Sequence, residues 1–244
     1  MLYYVICIFP MKNEMYNQLI FLQVLKQFAA YSDSIGLAIV FISLIVNYKN
    51  LLSSFKGWIF LFYLIFFSFT VVATAFNFLD ANNNWAYNSL PVLLTIPLYY
   101  FFEKLHVSPY LKMFNRIYVL LYFLSAIVFW KNIFQINLNP FFYLLFSFYI
   151  LINSVGYLYE EMTLMRSQNV FNKIDFWFIS CLFFYAIICV IVWSLFSYLE
   201  KNQIAQEKFM HPGHLWVYCH NTILFIQSFV FSIAVFKISS QKWK

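Results

Sequence analysis

Seven apolar stretches separated by short polar breaks run along the chain, at positions 28–46, 57–79, 85–102, 113–130, 140–159, 174–199 and 214–236. A helix rises about 1.5 Å per residue, so about 20 residues cross the roughly 30 Å hydrocarbon layer of a bilayer. Each stretch is close to that length. The pattern predicts an all-α, polytopic membrane protein, a bundle of seven transmembrane helices occupying residues 28–237. Residues 1–27 precede it and residues 238–244 follow as a short tail. The first ten residues are apolar but too short to span, and they lack the basic flank and small-residue cleavage site of a signal peptide. Met11 and Met15 are alternative starts. Around Leu19, Leu22 and Phe28, with Gln18, Gln23 and Gln27 between them, the spacing predicts an interfacial helix leading into the first span.

The breaks add detail. Asp80 and the run Asn82, Asn83, Asn84 mark a turn. Pro91 and Pro97 lie inside the third stretch, where each removes a backbone donor, so this helix is expected to kink and to need neighbouring groups for its freed carbonyls. Lys49, Lys56, Lys104, Lys112, Arg116, Arg166, Lys173, Lys237, Lys242 and Lys244 fall on one side of the predicted bundle. Lys12, Lys26, Lys131, Lys201 and Lys208 fall on the other. The richer side is expected to be cytoplasmic, which puts the N-terminus out and the C-terminus in. Glu160 and Glu161, at the inner end of the fifth span, are expected to form a solvated charge cluster with Arg166.

Composition agrees with the pattern: 64% of residues are hydrophobic, 24% aromatic and 10% charged, and mean hydropathy is +0.75. Soluble domains are roughly a quarter charged. With only 4 glycines, close packing through small residues is sparse, and interdigitated aromatics with Asn and Ser contacts are expected instead. The net charge of +6 does not indicate nucleic acid, because the basic residues lie singly between apolar stretches. Cys7, Cys181, Cys189 and Cys219 show no paired spacing and are read as small hydrophobes. The chain is expected to be a multi-pass protein of a bacterial inner membrane, with the lipid bilayer as its first partner.

Candidate chemistry concentrates at the approach to the last span, where His211, His214 and His220 fall within ten residues. With Asp33, Asp80 and Asn77, these are predicted to lie in the outer third of the membrane. A carboxylate with two or three histidines is a zinc ligand set that could activate water for hydrolysis, so His214, His220 and Asp80 form the candidate metal site. Intramembrane hydrolases of the ceramidase and adiponectin-receptor type resemble this combination of seven helices, an Asp and last-helix histidines. The spacing argues against it: six residues between His214 and His220 turn the side chains about 240° apart on a helix. The blander expectation makes His211 and His214 interfacial residues beside Trp216, with His220 hydrogen-bonded to a neighbouring helix. The buried pair His220 and Asn221, with Asn77, Asn88 and Asp80, is the candidate ligand site, and Gln227 and Asn153 are further polar positions. Ser68, Ser125 and Ser147 are read as packing residues. No lysine lies in the middle of the last span, Lys237 being at its end, so a retinal Schiff base has no attachment point. No charged residue lies near the centre of a span, which disfavours coupled transport.

The two-proline third span, the Phe176-Trp177 opening of the sixth span and the run from Leu215-Trp216 to His220-Asn221 resemble a group of uncharacterised bacterial seven-helix integral membrane proteins. That resemblance covers most of the chain and implies a membrane sensor or a companion of sensor kinases. The expected function is therefore sensing or binding a small ligand from the outer side and signalling through a separate partner chain, because the short tail is no output domain. A metal-dependent intramembrane hydrolase and a structural subunit without a site are the alternatives.

Overall fold

A computed structural model describes residues 13–47, 56–79, 81–133, 138–164, 170–202 and 216–241, and among these every regular element is helical. Seven long helices follow in order: α1 (Asn13–Val46), α2 (Gly57–Phe78), α3 (Asn84–Leu105), α4 (Pro109–Val128), α5 (Pro140–Leu164), α6 (Ile174–Lys201) and α7 (Asn221–Gln241). A π-helical turn, Trp216–His220, leads into α7. Six segments are long and apolar enough to cross a membrane: Lys26–Val46, Gly57–Phe76, Pro109–Val128, Pro140–Leu164, Ile174–Lys201 and Tyr218–Ser239. The seventh long helix, α3, is not among them, because Asn84, Asn88, Thr95, Glu103, Lys104 and two prolines dilute its apolar character. α1 runs unbroken through the boundary expected near residue 28. No Gly or Pro lies between Asn13 and Asp33 to end one helix and begin another.

The most extensive pairing is between α1 and α7. Ala29, Ser32, Gly36, Val40 and Ser43 recur every three or four residues on the buried face of α1, and Leu224, Ser228, Ser232, Val235 and Ser239 do so on α7. This is the small-residue packing that the glycine count makes look sparse, with serine filling half of the positions. Gly36 is the point of closest approach. A Cβ there would lie 2.9 Å from the Cα of Phe225 and 3.2 Å from the Cβ of Ser228. Elsewhere aromatics fill the core. Phe178 of α6, fully buried, meets Phe62 and Tyr63 of α2, Phe101 of α3 and Phe231 of α7 at centroid distances of 5.6, 5.9, 5.2 and 5.6 Å.

The prolines of α3 explain how that helix is joined to α5. Pro91 has no N–H to offer the Tyr87 carbonyl four residues back. That carbonyl instead accepts a hydrogen bond from the Tyr143 hydroxyl of α5, at 2.9 Å. One residue further along α3, the Asn88 side-chain oxygen accepts from the backbone N–H of Asn139, just ahead of α5, at 2.8 Å. α3 continues as helix through both prolines. The freed backbone group is thus converted into an interhelical tie.

Two outcomes follow from these contacts. Replacing Tyr143 with Phe removes this donor from the half-buried Tyr87 carbonyl and should cost about 1–3 kcal/mol. The cost should be smaller in a Pro91→Ala background, where the backbone N–H restored at that position serves the same carbonyl. A double-mutant cycle on thermal unfolding in detergent measures the coupling, and equal costs in both backgrounds would refute the assignment. Gly36→Ala presses a methyl against backbone and should destabilise by about 1–3 kcal/mol. Gly156→Ala presses on the flexible end of Leu111, at 2.8 and 2.9 Å, and makes an ordinary contact with His106 Cε1 at 3.5 Å, and should cost less by the same assay.

Candidate functional site

Where α3, α5 and α7 begin, five long helices and the π-turn enclose a chamber of about 10 Å³, room for about one water-sized occupant. α1 contributes Asp33, α2 Phe66 and Thr70, and α3 Tyr87 and Leu90. Tyr143 comes from α5, Leu224 from α7 and His220 from the π-turn. The Pro91 tie holds Tyr143 in this wall, and its ring stacks on Trp193 of α6 with centroids 4.3 Å apart. His220 sits edge-on to both, at 6.4 Å from Tyr143 and 6.2 Å from Trp193. Trp193 is fully buried and His220 nearly so.

The hydrogen bonds of His220 determine its state. Asn221 donates its amide N–H to the Ala30 carbonyl of α1 at 3.2 Å, with the Ala29 carbonyl at 3.5 Å. Its amide oxygen therefore faces His220 Nδ1, 3.3 Å away, and Nδ1 must be the donor. Burial disfavours a charge on the ring, so Nε2 keeps its lone pair and accepts from the Tyr185 hydroxyl of α6 at 2.8 Å. The imidazole is neutral, with its proton on Nδ1. Through this relay His220 and Asn221 connect α7 to both α1 and α6.

Of the residues picked out from the sequence, His220 and Asn221 are brought together here, His220 in the chamber wall and Asn221 behind it. Asn88 neighbours the wall residue Tyr87 but is bonded to Asn139. The side chain of Asn77, and Asp80, His211 and His214 entirely, lie outside the described residues. Among the described residues no group of three His, Cys, Asp or Glu side chains is arranged to hold a metal. Sequence reasoning missed Tyr87, Tyr143 and Tyr185, which look like three of 19 tyrosines. The position of Pro91, four residues after Tyr87, was the available signal. Asp33, expected near the start of the first span, lies about 10 Å of helix rise inside the apolar segment beginning at Lys26 and is only 5% exposed.

The far end of α3 and α5 carries a second polar network, and it corrects an expectation. Glu160 and Glu161, expected to form a solvated cluster, are both buried. The Glu160 carboxylate accepts the Ser108 N–H at 2.6 Å and the Val107 N–H at 3.1 and 3.2 Å, immediately ahead of α4. Those unsatisfied amides, and the positive end of the α4 dipole, draw it inward. Glu161 meets Lys173 at 2.8 Å. His106 lies 3.3 Å from Glu160 Oε2 through Nδ1 and 3.1 Å from Asn153 Oδ1 through Nε2. Asn153 donates its amide N–H to the Tyr149 carbonyl at 2.9 Å, so an oxygen faces the ring there too. Both ring nitrogens face acceptors, and a carboxylate receiving backbone N–H groups stays ionised. His106 is therefore the imidazolium of a buried ion pair. Tyr149 continues the network to Asn115 at 2.6 Å, and Arg116 bonds Glu103 beside it, which holds the Glu103 carboxyl below the usual carboxylate range.

The fold and its polar interior define a class, the multi-pass helical membrane proteins. Beyond that class, no protein-family model, curated protein or solved structure matches the chain.

Nitrogen-15 NMR of histidine-labelled protein at neutral pH should show the two buried histidines in opposite states. His220 is expected as a neutral ring protonated on Nδ1, and His106 as an imidazolium. Tyr185→Phe should move only the His220 Nε2 signal, and Asn153→Leu only those of His106. A neutral His106 or a charged His220 would contradict the hydrogen-bond assignments.

Proposed function

We propose that this chain is a seven-span protein of a bacterial inner membrane, N-terminus outside and C-terminus inside, that binds a small ligand in the Asp33–His220 chamber and signals through a separate partner chain. The orientation rests on the ten-to-five division of Lys and Arg between the two sides. α3 counts as the seventh span because its two ends meet the outer chamber at Tyr87 and the inner network at Glu103. The bilayer covers the apolar outer faces of the helices.

The observation that carries this reading is the convergence of Asp33, Thr70, Tyr87, Tyr143 and His220 from different helices on one enclosed space. Polar and ionisable side chains are costly at membrane depth and ordinarily mark a functional interior. An occupant of this chamber touches most of the bundle at once. α3 and α5 then run from the chamber to the His106–Glu160 pair at the inner surface, so a shift between them at one end reaches the other as a movement of two packed helices. The loose resemblance to bacterial seven-helix proteins associated with sensor kinases points the same way. The hydrolase reading draws no support from the described residues, because both His220 nitrogens are engaged within the bundle.

The test is thermal unfolding of the full chain in nanodiscs against small alcohols, amides, amines and inorganic salts. At least one class should raise the unfolding midpoint of the wild type by several degrees and fail to do so when Thr70→Val and His220→Gln are combined. No stabilisation by any compound would leave the chamber as packing and favour a structural subunit.

A further inference from the structure

Asp33 carries the only formal charge among the residues lining the chamber. Both of its hydrogen-bond donors are on Ser34 of its own helix, the N–H at 2.7 Å and the hydroxyl at 3.2 Å, and both reach the same oxygen, Oδ1. Among the described residues it has no ion pair with Lys or Arg. The titratable groups around it are Tyr87 of α3, Tyr143 of α5, Tyr185 of α6 and His220 of the π-turn. None of these supplies a positive charge, since the His220 ring is neutral. α2 contributes Phe66 and Thr70, neither of which titrates.

A buried carboxylate without a counter-charge is destabilised when ionised, even with two hydrogen bonds to one oxygen, and is relieved by taking up a proton or a counter-ion. The rest of the lining suits a positive occupant. Thr70 gives its hydroxyl hydrogen to the Phe66 carbonyl at 3.0 Å, so it presents lone pairs. Tyr87, Tyr143 and Phe66 supply aromatic rings, whose faces attract cations. Room for about one water suits a proton, a hydronium or a bare alkali ion, and not an organic ammonium. We infer that Asp33 holds a small monovalent cation in this chamber, either a proton or an alkali ion. The inference rests on the ligand-binding reading above and specifies the ligand class.

Full-length protein in nanodiscs is unfolded thermally in NaCl, KCl and choline chloride at equal ionic strength, and across a pH series in choline chloride. An alkali occupant raises the wild-type midpoint by a few degrees in NaCl or KCl over choline. A proton occupant gives no salt preference. It lowers the midpoint as pH rises, because the folded chain then holds a proton that the unfolded chain has already lost. In Asp33→Asn the salt response is expected to disappear and the pH response to shrink to the part that the His106–Glu160 pair contributes, and either is expected to weaken in Thr70→Val. Should Asp33→Asn fail to fold, infrared spectroscopy of the wild type and Asp33→Glu replaces it. A carboxylic-acid band that moves between the two and is lost on adding alkali or alkali-metal salt supports the inference. Wild type indifferent to ion and pH, or an Asp33→Asn response equal to wild type, overturns it. Stabilisation of that same wild type by a neutral alcohol or amide would then leave the ligand-binding reading standing without the cation.

Discussion

The hydroxyl of Tyr143 reaching the carbonyl that Pro91 leaves without a donor is the contact on which the rest of the chamber end depends. In water a stranded carbonyl is solvated. In hydrocarbon it must find a partner inside the protein. The partner here comes from another helix, so a local defect in α3 fixes the placement of α5. Tyr143 is then held where its ring can stack on Trp193 and face His220, and Tyr143 and His220 line the chamber with Trp193 packed against them. The backbone chemistry of one proline thereby decides which aromatic lines the site.

The same demand for satisfaction leaves one of the two buried histidines neutral and the other charged. Each faces an asparagine side-chain oxygen, because each asparagine has already given its N–H to a backbone carbonyl. The difference lies in the second partner. His220 meets a tyrosine hydroxyl, which donates, and stays neutral; His106 meets a carboxylate, which accepts, and is charged. Glu160 is itself drawn inward by the open amides ahead of α4. The chamber end is left with an acid at Asp33 that has no counter-charge among the described residues, while at the other end Glu160 and Glu161 are paired with His106 and Lys173. The acid at Asp33 directs a functional reading to the chamber.

The α1–α7 pairing shows how a count can mislead where a position does not. Four glycines in the chain make small-residue packing look sparse, yet one of them stands where two helices cross and serines take the flanking positions. Three of the serine hydroxyls bond back to carbonyls three or four residues earlier, Ser32 to Ala29 at 3.0 Å, Ser43 to Val40 at 2.7 Å and Ser232 to Ser228 at 2.8 Å. Those three line the interface at little cost, whereas the buried hydroxyls of Ser228 and Ser239 have no partner among the described residues.

Helical architecture, the number of long helices and the polar pair His220-Asn221 were legible from the sequence, because the length and apolarity of a segment suffice to predict a membrane helix. Asp33 was visible as an acid but not as a buried one, since α1 extends further in the N-terminal direction than the hydropathy pattern implies. Glu160 looked solvated because its partners, the Val107 and Ser108 amides, lie more than fifty positions away in the chain. Tyr143, Tyr185 and Tyr87 carried no mark distinguishing them from the other aromatics. By itself the sequence determined which segments are helices and which polar residues enter them. Only the tertiary structure decided which of those residues meet, because hydrogen bonds between helices depend on rotation and depth, and periodicity along one chain records neither.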